Sequence, residues 1–248
     1  MIQLLDLCKS FGGQTVLDCL NLEIKDGQIT VIVGKSGVGK SVLLKHIIGL
    51  VQPDSGRVLV DGVDIAGLSS GELNNVRKKF GMLFQAAALF DSMTVGENVA
   101  FPLREHTRLH PNEIESVVKK KLLQVGLKDV EGKMPAELSG GMRKRVGLAR
   151  AIALDPEIIL FDEPTTGLDP IMSDAIDDLI LETQRSTGAT CVVISHDIAT
   201  TFKIADTIAM LYEGKIMEQG SPGEIRRSEN PVVRQFIKRK AEGPASFG

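Results

Sequence analysis

Gly34-Lys35-Ser36-Gly37-Val38-Gly39-Lys40-Ser41 fits the pattern G-x-x-x-x-G-K-[ST], and its flanks supply the setting that pattern needs. Directly before it runs Ile29-Thr30-Val31-Ile32-Val33, a β-branched stretch that reads as a strand. Directly after it runs Val42-Leu43-Leu44-Lys45-His46-Ile47-Ile48, an apolar stretch of helical character. Strand, glycine loop and helix together aim backbone N–H groups and the positive end of a helix dipole at one point, where a polyphosphate can sit. Glycine lets the backbone adopt positive φ and come close to phosphates without a Cβ in the way. Lys40 is placed to neutralise β/γ-phosphate charge, and the Ser41 hydroxyl to ligate Mg²⁺. The plainer alternative, a glycine-rich turn that happens to hold a lysine, leaves the flanking strand and helix unexplained. The sequence predicts a nucleoside triphosphate site.

At 248 residues the chain is long enough for one large α/β domain, or a core plus a subdomain, with a substantial interior. Its 43% hydrophobic content is ordinary for a globular protein, and no apolar run approaches the roughly 20 residues that span a bilayer. Met1-Ile2-Gln3-Leu4-Leu5-Asp6-Leu7 reads as a short strand rather than a signal peptide. Cys8, Cys19 and Cys191 are odd in number and read as lying far apart, which suggests neither a disulfide framework nor a zinc site. Each is expected to be a small buried hydrophobe. A net charge of −3 argues against nucleic acid as a partner.

Strand-like segments open the chain at Ile2–Leu7, Leu17–Ile24, Ile29–Val33 and Val58–Val60, with Asp26-Gly27 and Asp61-Gly62 as tight turns. Phe80-Gly81-Met82-Leu83-Phe84 reads as a further strand ending at Gln85, and a more helical region follows from about Val95 to Met134. Ile114, Val117, Val118 and Leu122 there mark one face of an amphipathic helix, with Lys119-Lys120-Lys121 expected to be solvated. Ile158-Ile159-Leu160-Phe161 and Ala189-Thr190-Cys191-Val192-Val193-Ile194 read as buried strands on either side of a helix from Asp169 to Thr187. Near-continuous apolar strands alternating with amphipathic helices predict an α/β fold whose largely parallel sheet is covered on both faces. Gly243-Pro244-Ala245-Ser246-Phe247-Gly248 is expected to be a flexible tail.

Leu160-Phe161-Asp162-Glu163 brings a second piece of chemistry. An apolar strand ending in Asp delivers a carboxylate to the carboxyl edge of a sheet, where a phosphate loop also opens. Asp162 can hold Mg²⁺ directly or through water, and Glu163 can polarise an attacking water as general base. Acidic residues at the end of a strand can equally mark an ordinary turn; behind a phosphate loop the catalytic reading is preferred.

Leu138-Ser139-Gly140-Gly141-Met142, followed by Arg143-Lys144-Arg145 and Leu148-Ala149-Arg150-Ala151, resembles the signature motif of ATP-binding cassette (ABC) ATPases. A hydroxyl and bare amides at a helix N-terminus make an anion site, and the same residues also make an ordinary helix cap. By that resemblance Gln85 matches the loop that senses Mg²⁺ and the attacking water and contacts the membrane subunit. Gly167-Leu168-Asp169 matches the loop that communicates across a dimer, and His196 the switch histidine at the γ-phosphate. Phe11 stands where many relatives carry a tyrosine stacked on adenine, a change that keeps the π-face. The resemblance covers about residues 1–225 and six motifs in the family's order. It implies a P-loop NTPase core over residues 1–230, with an N-terminal antiparallel β-subdomain and a helical subdomain inserted at about 86–155. Residues 231–248 are then a C-terminal helix and tail. It implies ATP and Mg²⁺ as ligands, and a head-to-tail pair of copies in which each ATP lies between Gly34–Ser41 of one and Ser139-Gly140-Gly141 of the other.

ABC ATPases also serve in DNA repair and translation, but this chain has one cassette and no heptad insertion, so a subunit coupled to a membrane permease is expected. Met142 in the signature, the stretch from Met82 to His106, and Pro231-Val232-Val233-Arg234-Gln235-Phe236 with Glu242-Gly243-Pro244 resemble the ATPase of Mla-type (MCE-associated) phospholipid transporters of Gram-negative bacteria. That resemblance implies a lipid permease, an MCE lipid-binding protein and in some systems a STAS-domain protein as partners. It also implies a peripheral position on the cytoplasmic face of the inner membrane. Three alternatives stay open: an importer ATPase for amino acids or another small solute, a regulatory module that binds nucleotide without turning it over, and a DNA-associated ABC ATPase, which would need a basic stripe that the overall charge does not suggest.

Overall fold

The structure, a computed structural model, describes residues 1–240 and 242–244. The chain divides into two compact units, Met1–Arg77 with the chain from Val192 onward, and Lys78–Cys191.

In the first unit, alternating apolar residues build an antiparallel sheet. Strands β1 (Ile2–Phe11) and β2 (Gln14–Ile24) form a hairpin turned by Gly12-Gly13, both at positive φ as a two-residue turn of this hand requires. β3 (Ile29–Val33) is buried along its whole length and runs into the phosphate-loop sequence and helix α1 (Lys40–Ile47). β4 (Ser55–Val60), β5 (Val63–Asp64) and α2 (Ser70–Arg77) follow, and the antiparallel sheet has the order β2-β1-β4-β5.

The second unit begins with β6 (Phe80–Leu83) and continues through α3 (Val95–His106), α4 (Pro111–Gln124), α5 (Gly140–Ala151), β7 (Ile158–Asp162) and α6 (Pro170–Thr187). β6 pairs in parallel with β7, from Phe80 opposite Ile158 to Leu83 opposite Phe161. α5 lies close to β6 because Gly147 has no Cβ to press on Leu83 and Ala87. α3 starts in a capping box between Thr94 and Glu97. Asn98, fully buried, accepts the Phe90 N–H at 2.8 Å and donates to the carbonyls of Phe90, Met93 and Thr94, which fixes the segment leading into that helix.

The chain returns to the first unit within β8 (Thr190–Ser195), then forms α7 (Ile198–Ile204), β9 (Thr207–Tyr212), β10 (Lys215–Gly220), α8 (Pro222–Arg226) and α9 (Pro231–Ile237). β3 lies between β8 and β9, pairing with β9 in parallel register from Thr30–Thr207 to Val33–Met210. β10 closes that edge antiparallel to β9. The continuous apolar runs read as buried strands are thus core strands. Among the described residues no helix is long and apolar enough to cross a membrane.

Three expectations need correction. Cys191 is a buried hydrophobe, but Cys8 is half-buried and Cys19 exposed, and their sulfurs lie 3.1 Å apart across the hairpin. Bulges between Leu7–Leu20 and Lys9–Leu17 bring together two residues that sequence separation had kept apart. Lys121 is not solvated: its whole side chain is buried and its ammonium pairs with Asp155 at 2.5 Å, a burial that a run of three lysines conceals. Several strands also run longer than read, β1 to Phe11 and β4 from Ser55, because ladder pairing carries them past their apolar cores. Ala245–Gly248 of the expected tail lie outside the described residues.

Asn98→Ala leaves the carbonyls of Phe90, Met93 and Thr94 without that donor and is expected to cost about 1–3 kcal/mol. Urea denaturation measures this; an unchanged midpoint contradicts the role given to Asn98.

Candidate nucleotide site

Residues of the first unit build the phosphate loop. Gly34 follows β3 so closely against β9 that a Cβ there would collide with the Leu211 carbonyl oxygen. Gly37 and Gly39 sit at φ 78° and 105°, and the Gly39 Cα faces Val16. No L side chain is at ease at either angle, so the glycines carry the turn. Gly39 is the N-cap of α1 and offers no side-chain cap, and the first turn of α1 holds no acidic residue. Nothing anionic in α1 therefore competes for the positive helix end, which suits a phosphate. Lys40 is buried, and its ammonium donates to the carbonyls of Gly34 at 2.9 Å and Lys35 at 2.8 Å. Lys35 and Val38 are half-buried, Ser36 and Gly37 exposed, and Ser41 is half-buried in the first turn of the helix. Gly37 and Val38 also line a cavity of about 440 Å³ with Gln14–Val16, Asp18 and the Glu213-Gly214 turn.

Phe11, at the end of β1, keeps 48% of its surface exposed, the state an aromatic needs in order to receive a flat ring. The Lys9 ammonium lies 5.2 Å from its ring centre and is itself paired with Asp54 at 2.6 Å. His196 is exposed in the turn between β8 and α7. Asp197 beside it caps α7 by accepting the Ala199 N–H at 2.9 Å, and Ser195 accepts the Asp197 N–H at 3.0 Å. That turn is further tied by Arg239 to Asp197 at 3.1 Å.

The second unit holds Gln85, Ser139, Gly140, Gly141, Asp162, Glu163 and Asp169. Asp162 ends β7, half-buried, and Glu163 follows at φ 47°, a left-handed backbone uncommon for a side chain of that size. The Thr166 hydroxyl donates to Glu163 Oε2 at 2.9 Å, so the carboxylate is oriented as well as the backbone. Gln85 is exposed just past β6, and Ala87 and Ala88 after it also have left-handed backbone.

Two cations from α5 hold these strained turns. Lys144, buried, donates to the Gln85 carbonyl and, at 3.5 Å, to the Glu163 carbonyl. Burial pushes its ammonium below the ordinary value, while the carboxylates of Asp162 and Glu163 pull the other way. Arg150 donates to the carbonyls of Ala87 at 2.7 Å and Ala88 at 2.8 Å and packs 5.8 Å from the Phe90 ring. In the sequence both residues stand only as members of a motif. Their signal is a basic residue on a helix face otherwise buried, next to Val146, Gly147 and Leu148. Ser139 accepts the Met142 N–H at 3.3 Å and Asp169 accepts those of Ile171 and Met172 at 3.0 Å, so both also serve as helix caps. Gly141 leaves room for the Met172 side chain of α6.

The ABC transporter family profile matches residues 17–166. The chain belongs to the ABC transporter family. It is 45% identical, over all of its own length and 94% of the relative's, to the intermembrane phospholipid transport system ATP-binding protein MlaF of Haemophilus influenzae. The Escherichia coli protein of the same name is 44% identical over 100% of this chain and 92% of its own. A Mycobacterium leprae relative named "Probable ribonucleotide transport ATP-binding protein mkl" is 44% identical over 98% of this chain and 70% of its own. Among solved structures, the dimeric ATP-binding cassette MJ0796 in a post-hydrolysis state with ADP and Pi matches at 33% identity and TM-score 0.82, covering 90% of this chain and 99% of that one. The cassette cbiO1 of Clostridium perfringens matches at 31% identity and TM-score 0.84, covering 96% and 95%. This ABC protein is an ATPase with the fold of those cassettes.

Lys144→Met removes the tie between Gln85 and Glu163 and keeps the stem. Steady-state phosphate release should fall about tenfold or more in kcat, with KM for ATP changed less than about twofold, and Lys144→Arg should restore most of it. An unchanged kcat contradicts the positioning role.

Proposed function

We propose that this ABC ATPase powers phospholipid transport between the membranes of a Gram-negative envelope, as a peripheral subunit on the cytoplasmic face of the inner membrane. One observation carries the cargo: 45% identity over the full chain and 94% of a phospholipid transport ATPase. The ribonucleotide-named relative is as similar in identity but extends well beyond the match, which covers 70% of it. Identity alone does not separate the cargoes; matched length favours lipid. Neither those relatives nor the other full-length ones favour the amino-acid importer. In this reading the partners are a second copy, integral-membrane permease subunits, an MCE lipid-binding protein and, in some systems, a STAS-domain protein. The dimeric cassette at 33% identity supports the second copy.

The roles follow from the chemistry of the residues. Gly34, Lys35, Ser36, Gly37, Val38 and Gly39 wrap the phosphates with backbone N–H groups, and Lys40 moves its ammonium from loop carbonyls to phosphate oxygens. Phe11 stacks on the adenine. Ser139, Gly140 and Gly141 of the second copy complete the cradle, and Asp169 relays closure between copies. Glu163 orients a water for in-line attack on the γ-phosphate and takes its proton, while His196 stabilises the developing charge. The Ser41 hydroxyl, the Asp162 carboxylate and the Gln85 amide are all oxygen donors, the set Mg²⁺ prefers, so these residues fit that ion. When bound, Mg²⁺ would supply positive charge that neutralises the phosphates. Thr166 and Lys144 keep Glu163 in place for the attack.

Glu163→Gln should retain ATP, accumulate as a closed dimer in gel filtration and lose turnover by about a hundredfold or more. Hydrolysis at the normal rate contradicts the base assignment. For the cargo, the native complex purified with its permease should carry phospholipid by mass spectrometry and move labelled phospholipid between vesicles only with ATP. Transfer of ribonucleotide or amino acid in place of lipid overturns the cargo.

A further inference from the structure

The Cys8 and Cys19 thiols stand outside everything the nucleotide chemistry uses. Cys8 lies in β1 and Cys19 in β2, and the register runs from Leu7 opposite Leu20 to Lys9 opposite Leu17. One residue, Cys8, therefore faces two, Asp18 and Cys19, and the surplus is taken up at Cys19, whose φ is 47°. A bulge of this kind turns a side chain that would have pointed away toward its neighbour across the ladder. The result is a sulfur–sulfur distance of 3.1 Å, with the Cys19 N–H also donating to Cys8 Sγ at 3.3 Å. A disulfide needs a separation of about 2.05 Å, so closure asks for a movement of about 1 Å, within the reach of the two side-chain torsions. Cys19 is exposed and Cys8 half-buried, so reagents in solution reach the pair, whereas Cys191 is buried in β8.

We infer that Cys8 and Cys19 form a dithiol site on the surface of the β1–β2 hairpin that is modified by small-molecule disulfides and closes to an intramolecular disulfide. The two sulfurs differ in reactivity. Hydrogen bonding from Ser55, then from Cys19, holds the Cys8 thiol below its ordinary value, and the bond to Cys8 raises that of Cys19. Cys8 is thus the attacking thiolate and Cys19 the resolving thiol. In the first step the Cys8 thiolate attacks one sulfur of a disulfide RSSR; a Cys8–SR bond forms, the S–S bond of RSSR breaks, and RS⁻ leaves and takes a proton. In the second step Cys19 gives its proton to solvent and attacks Cys8 Sγ; the Cys8–Cys19 bond forms and a second RS⁻ leaves and is protonated. Two thiols are oxidised and one RSSR is reduced to two RSH, and a reducing dithiol reverses the change. The bridge closes the segment from Cys8 to Cys19, which contains Phe11 and the Gly12-Gly13 turn, so this is a reversible covalent mark on the strand pair that presents the exposed aromatic. Such bridges inside cells are transient and redox-responsive rather than structural.

The full-length protein, incubated natively with glutathione disulfide, quenched with N-ethylmaleimide and digested without reduction, tests this. Three reactive thiols under denaturing conditions should fall to one, with a mass loss of about 2 Da and a Cys8–Cys19 linked peptide. Cys19→Ser should instead keep glutathione on Cys8 as a stable adduct. Retention of three thiols, a bridge to Cys191, links only between copies, or glutathione on both cysteines without a bridge each overturns the inference. The readout does not involve ATP, so it fails or holds apart from the proposed function.

Discussion

Lys40 carries a positive charge into a buried turn and satisfies it on the carbonyl oxygens of Gly34 and Lys35, at 2.9 and 2.8 Å. A buried ammonium must be paired or hydrogen-bonded, and neutral carbonyls are the weaker of the acceptors it could find. Its loop must therefore be shaped before any ligand arrives. That shape comes from the backbone: Gly34 pressed on the Leu211 carbonyl of β9, Gly39 on Val16 of β2, and positive φ at Gly37 and Gly39. Since β9 pairs in register with β3, the strand that launches the loop is held by the same neighbour that Gly34 must clear. The stored arrangement is one that a polyphosphate improves, because phosphate oxygens replace carbonyls as partners of the same ammonium.

In the second unit the comparable constraint is strain at non-glycine residues. Glu163, Ala87 and Ala88 all hold left-handed backbone, and each has its carbonyl taken by a basic side chain of α5. Lys144 spans the Gln85 and Glu163 turns, and Arg150 fixes the alanines that follow Gln85. A helix whose N-terminus carries Ser139-Gly140-Gly141 therefore also sets the backbone behind the residue proposed as base. Removing either cation takes a charged donor from these bent turns, although the Glu163 carbonyl still accepts the Thr166 N–H at 3.2 Å, which is why positioning and stability are coupled there.

Much of this was legible in the residues. The β-branched run before Gly34, the helical run after Lys40, and the acidic pair ending an apolar strand each have a physical meaning that periodicity and residue type expose. The caps at Thr94, Ser139 and Asp169 are likewise legible, because serine, threonine and aspartate before a helix have one dominant use. What stayed hidden shares a cause: side chains whose surroundings are set by non-local packing. Lys121 of α4 and Lys144 of α5 look like surface charge until tertiary packing buries their side chains, and Cys8 and Cys19 look unrelated until bulges change the register between them. Positive φ at Glu163 and Ala87 cannot be read from residue type, since glycine is the usual signal and is absent there.

The phosphate loop as the seat of the nucleotide is the central claim. A crystal structure of the protein with Mg²⁺ and a non-hydrolysable ATP analogue tests it most directly. The β- and γ-phosphates should lie among the amides of Gly37, Gly39 and Lys40, with the Lys40 ammonium moved off the Gly34 and Lys35 carbonyls onto phosphate oxygen. An analogue bound elsewhere, or phosphates in place with Lys40 still on those carbonyls, contradicts it.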